Sequence, residues 1–109
     1  MKLFGVFLIA ALATAPPVGP LPAGPSATIA TQRGQLVAVA LPKHAGLSWR
    51  VARRIDARVV REVSEADVGA NVVVVYRTVG RGRAKIVYAL TRGESTHAQA
   101  ARTFSVVVR

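Results

Sequence analysis

Two histidines, His44 and His97, and five carboxylates, Asp56, Glu62, Glu65, Asp67 and Glu94, are all the imidazole and carboxylate groups in the chain, which has no cysteine. The missing cysteine removes thiol nucleophiles, CxxC redox pairs, thiolate zinc sites and disulfide frameworks. Two histidines can begin a metal site, but no carboxylate spacing completes one here, so both read as solvated loop residues. No P-loop, nucleophile elbow, HExxH or paired-carboxylate pattern occurs. The chain therefore reads as a non-enzyme that needs no cofactor. The stretch Gly80-Arg81-Gly82-Arg83 is superficially of the RGG type. A single copy between Val-rich runs reads as a hairpin turn carrying exposed arginines.

Charge is the stronger chemical signal. Fifteen Lys plus Arg stand against five Asp plus Glu, for a net charge of +10, in a chain of 109 residues that is 51% hydrophobic. So much aliphatic content excludes a disordered basic tail. A basic folded domain could bind an anionic polymer (DNA, lipopolysaccharide or acidic glycan) or an envelope partner through its Arg-rich surface, or the arginines could serve solubility alone. Trp49, Tyr76, Tyr88 and Phe104 all lie on inward-looking patterns. Few bases could therefore be stacked, and sequence-specific recognition is not expected.

The elements that position these residues are short strands. Period-two alternation recurs at Val37, Val39 and Leu41; at Leu47, Trp49 and Val51; through the Val-rich run Asn71 to Val79; at Ile86, Tyr88 and Leu90; and at Phe104, Val106 and Val108. Turn signals separate them: Gly34, Pro42 to Gly46, Gly69-Ala70-Asn71, Gly80-Arg81-Gly82 and Thr91 to Gln99. Six or seven strands at this spacing predict a small sandwich or barrel. One segment departs from the pattern. In Arg50 to Ala66, Val51, Ile55, Val59 and Val63 recur every four residues with Arg50, Arg54, Arg58 and Arg61 opposite. That periodicity alone predicts an amphipathic basic helix.

The N-terminus reads as a targeting segment. Met1 and Lys2 precede an apolar run of eleven residues, Leu3 to Ala13, followed by small residues suited to cleavage after Ala13 or Ala15. The run is too short to span a bilayer. Residues 1–15 are thus expected to be a signal peptide, giving a secreted or periplasmic protein with no later membrane span. Pro16 to Pro25 holds five of the six prolines, so residues 16–26 are expected as an extended spacer outside the domain of residues 27–109.

Gly34-Gln35, the alternating apolars to Leu41-Pro42 and then Ala45-Gly46-Leu47-Ser48-Trp49 resemble the chagasin-type cysteine protease inhibitors, whose pattern runs G-Q, alternating apolars, L-P, N-P-T-T-G-[YF]-x-W. Asp56, Val59, Val60 and Val63 follow at similar intervals. So do Val75 to Val79 with Gly82, Ala84 to Leu90, and the closing Thr103 to Val108. The resemblance implies an all-β, immunoglobulin-like sandwich of about seven strands, with Arg50 to Ala66 as strand, loop and strand. It implies a core of Val37, Val39, Leu41, Trp49, Val59, Tyr76, Ile86, Tyr88, Phe104 and Val106.

It also implies competitive, non-covalent inhibition of papain-like cysteine proteases by a monomer that uses three loops at one end of the sandwich. The first loop falls on Lys43, His44, Ala45, Gly46 and Leu47, where His44 and Ala45 replace the family's Thr pair and Leu47 its aromatic. The second falls on Gly69, Ala70 and Asn71. The third falls on Arg92, Gly93 and Glu94, which keeps the Arg of the family's R-P-[WF] but neither its proline nor its aromatic.

Overall fold

A computed structural model describes residues 17–109, so the signal-peptide expectation lies outside the described residues. Seven strands form: β1 (Ser26–Thr31), β2 (Leu36–Pro42), β3 (Ser48–Val51), β4 (Val60–Val68), β5 (Asn71–Thr78), β6 (Gly82–Thr91) and β7 (Ala100–Val108). They make two sheets, ordered β1-β7-β6-β3 and β2-β5-β4, with β1 parallel to β7 and every other pair antiparallel. This is an all-β, immunoglobulin-like sandwich.

Alternation builds the core. Val37, Val39 and Leu41 of β2 and Val74 and Tyr76 of β5 face Ile86 and Tyr88 of β6 and Val106 and Val108 of β7, all buried. The Tyr76 and Tyr88 hydroxyls meet at 2.5 Å between the sheets. Burial pushes both phenols above their ordinary pKa, so the pair stays protonated. Trp49 and Phe104, expected as core, are only partly buried and pack on its margin.

The helix that periodicity predicts over Arg50 to Ala66 does not form; β3, a loop and β4 occupy it. Two local causes are visible. Asp56 Oδ1 accepts the Arg58 backbone N–H at 3.0 Å, and the Asp56 carbonyl accepts those of Val59 and Val60, closing a turn. A bulge between Glu62 and Ser64 then shifts the β4 register, leaving Val63 48% exposed. The period-four stripe is thus a coincidence of two strand ends. Beyond the bulge the register sets Glu65 beside Val74 and Asp67 beside Val72, and before it Glu62 beside Tyr76. This edge strand therefore turns carboxylates toward the core side, a device that discourages further strand pairing.

Composition predicts that the stretch Pro17 to Pro25 stands off the domain; instead it lies on the outer face of the first sheet. Val18 is buried against Ala89 and Ala98, with Leu21 and Ala52 beside them. Arg53 donates to the carbonyls of Val18 and Gly19, each at 3.2 Å, and the Thr103 N–H donates to Pro25 at 3.0 Å. A side chain at Gly24 would run into the Ala101 carbonyl. A proline-rich strap has few N–H donors to satisfy, so it can cover a sheet face without joining a ladder.

Candidate functional site

The ends of β2, β4 and β6, with the starts of β3, β5 and the β6–β7 connection, gather the three predicted loops at one end of the sandwich. The first loop closes as a turn in which the Leu47 N–H donates to the His44 carbonyl at 3.1 Å. Gly46 has φ +75°, as the third residue of a type II turn requires. The Trp49 indole N–H donates to the Pro42 carbonyl at 2.7 Å, tying the loop entrance to β3, and His44 meets the Trp49 ring edge-on at 6.3 Å. His44, Ala45 and Gly46 are exposed at the tip, whereas Leu47 is half-buried.

Gly69 and Ala70 form a two-residue hairpin in which Gly69 takes φ +59°. That places positive φ at the first loop position alone, the type II′ pattern that matches strand twist. The Lys43 N–H donates to the Ala70 carbonyl at 2.9 Å, so the first two loops are hydrogen-bonded together. Asn71, expected in the loop, is instead the first residue of β5, half-buried between Pro42 and Val68.

The third loop begins with a turn from Arg92 to Ser95, the Ser95 N–H donating to Arg92 at 3.1 Å. Beneath it Thr91, 0% exposed, donates its hydroxyl to the Gly93 carbonyl at 2.7 Å. Arg50 donates from Nη2 to the carbonyls of Ser95 at 2.7 Å and Glu94 at 3.4 Å. The strap contributes as well, through the Gly19 N–H to the Thr96 carbonyl at 2.8 Å. The Arg92 guanidinium lies 3.9 Å from where a side chain at Gly46 would begin, so the first and third loops adjoin. The structure thus brings Lys43, His44, Ala45, Gly46, Gly69, Ala70, Arg92, Gly93 and Glu94 to one edge.

Residues that the sequence reading missed hold this edge. Spacing gives Arg50 only a place on a basic stripe, and it gives no role to Asp67, which pairs with Lys43 at 3.3 Å. Behind the first loop a cleft of about 310 Å³ opens between the sheets, walled by Leu47, Trp49, Val72 and Val74 with Glu65 and Asp67 at its rim. Burial, with Glu65 nearby, raises the Glu62 carboxyl above its ordinary pKa.

No family model matches the sequence, and no curated protein sequence does. Solved structures do match the fold. The cysteine protease inhibitor EhICP2 from Entamoeba histolytica superposes with a TM-score of 0.57 at 13% identity, over 81% of this chain and 99% of the other. PbICP-C, solved in complex with falcipain-2, gives 0.56 at 14% identity over 86% and 98%. Amebosin gives 0.53 at 21% identity over 84% and 100%. The sandwich is the one the chagasin-type resemblance implies. At these identities the likeness is one of fold, spanning essentially the whole length of each neighbour.

Proposed function

We propose that the chain is an exported, monomeric, non-catalytic inhibitor of papain-like cysteine proteases, blocking substrate access with Lys43–Leu47, Gly69–Ala70 and Arg92–Glu94. One observation carries this reading: the three turns share one end of a fold also found in EhICP2 and in falcipain-2-bound PbICP-C. Internal hydrogen bonds hold each turn, so little backbone freedom remains to be lost on binding. Gly46, without a side chain, allows close backbone approach at the tip. Leu47 faces the cleft and props the turn from behind, and the exposed Arg92 offers a charged contact at the rim. Export rests on the apolar run Leu3 to Ala13 behind Lys2 and the small residues after it.

Papain kinetics test the reading. Increasing protein should raise KM and leave kcat unchanged, and Gly46→Val should weaken inhibition by about tenfold or more, the scale of one interface contact. Full papain activity at micromolar protein overturns it. N-terminal sequencing of the exported protein should begin at Thr14 or Pro16; an intact Met1 on an intracellular protein removes the export claim.

A further inference from the structure

The arginines are not spread evenly. Arg33, Arg54, Arg58, Arg61, Arg77, Arg81, Arg83 and Arg109, eight of the twelve in the chain, are all exposed and belong to the end opposite the three turns. Backbone bonds knit that end together: Arg33 N–H to Arg109 at 3.1 Å, Gly34 N–H to Thr78 at 2.8 Å and Val79 N–H to Val59 at 2.8 Å. The β5–β6 turn rests on the Arg58 carbonyl. Asp56 and Glu62 are the carboxylates nearest in sequence, and of the eight arginines only Arg58, with Asp56 at 3.0 Å, is in an ion pair among the described residues.

Arg61 and Arg77 stand directly opposite each other across β4 and β5, with Leu36 next in the row. Like charges directly opposite on neighbouring strands destabilise a sheet, and an anion between them reverses the sign. Guanidinium groups suit phosphate oxygens through two parallel hydrogen bonds. Among the described residues, Trp49, Tyr76, Tyr88 and Phe104 all pack in or on the core, so none of them offers this end an aromatic platform for bases or an aromatic anchor for a bilayer.

We infer that this basic pole binds the phosphodiester backbone of nucleic acid irrespective of sequence. The surface lies at the far end from the three turns, so it does not depend on the inhibitor reading, and protease inhibition and duplex binding are measured separately. Binding of a fluorescent 20-base-pair DNA duplex, followed by anisotropy from 50 to 200 mM salt, provides the test. Duplexes of unrelated sequence should bind alike, and with about four phosphate contacts affinity should fall about 150-fold over that range. Arg61→Gln with Arg77→Gln should flatten the log–log salt slope by about 1.8, whereas Arg92→Gln at the other end leaves it unchanged. The double variant keeps the core intact, and an unaltered Trp49 emission spectrum verifies that it folds. No duplex binding at 50 mM salt overturns the inference. So does preference for one sequence, an unchanged slope in the folded double variant, or binding to heparin or phosphatidylserine vesicles without binding to the duplex.

Discussion

Thr91 and Thr78 permit a matched perturbation at the two ends of the sandwich. Both are almost fully buried. Thr91 Oγ1 donates to the Gly93 carbonyl at 2.7 Å under the third turn, and Thr78 Oγ1 faces the carbonyls of Gln32 and Gln35, each at 2.9 Å, at the opposite end. Valine keeps the shape of threonine and removes the donor, so neither Thr91→Val nor Thr78→Val opens a cavity. Gly93, Gln32 and Gln35 sit in exposed turns where water can replace the lost partner. Each substitution should therefore cost about 1 kcal/mol, the net value of one hydrogen bond. In a domain this size that lowers Tm by about 4 to 8 °C, read from Trp49 fluorescence on heating. The two variants then diverge. Freeing one residue of the third turn requires it to be ordered again on binding, at about 1 to 2 kcal/mol, so Thr91→Val should weaken papain inhibition five- to thirtyfold. Thr78→Val should leave inhibition unchanged. Equal losses of inhibition in both variants, or Thr91→Val with unchanged Tm, would refute the claim that this buried hydroxyl pins the turn.

Three further outcomes follow from the packing. Tyr76 and Tyr88 keep their protons in the folded state to higher pH than in the unfolded chain, mainly through burial. Their contribution to stability should therefore be constant below about pH 10 and fall above it by up to about 1.4 kcal/mol per pH unit for each tyrosine; Tyr76→Phe should roughly halve that slope in urea titrations. Val63→Lys should change stability by no more than about 0.5 kcal/mol because Val63 points outward at the bulge, whereas Val59→Lys places a charge in the core and should unfold the domain. Val18→Asp should lift the strap from Ala89 and abolish exchange protection of the Gly19 amide, which otherwise bonds Thr96, as hydrogen-exchange mass spectrometry of the fragment containing it will report.

Where alternation is uninterrupted, the fold is legible from residues alone. Val37, Val39 and Leu41, or Ile86 and Tyr88, cannot face both core and water. The partners are less legible: β2 pairs with β5 across two intervening strands of the chain, and no turn encodes that pairing. Arg50 to Ala66 misleads because a turn at Asp56 and a bulge at Val63 each reset the side-chain phase, and two resets imitate a period of four. The strap was illegible from its own composition, since prolines say only that no ladder forms there. Its signal lies elsewhere: Ile86 to Leu90 is apolar on both faces, so something must cover Val87 and Ala89 on the outside. Of the loop edge, the turn glycines and Arg92 were readable as a pattern. Arg50 was not, because it reaches Ser95 across 45 residues of sequence and no local spacing encodes such a contact.

Hydrogen exchange of the chain, alone and with papain, tests the central claim most directly. Amides at Lys43, Leu47, Ala70 and Ser95 lie in the three turns and should gain protection together in the complex, while those of Arg33, Arg81 and Arg109 at the basic pole stay as they are. Protection confined to the basic pole, or none at either end with papain in excess, would contradict it.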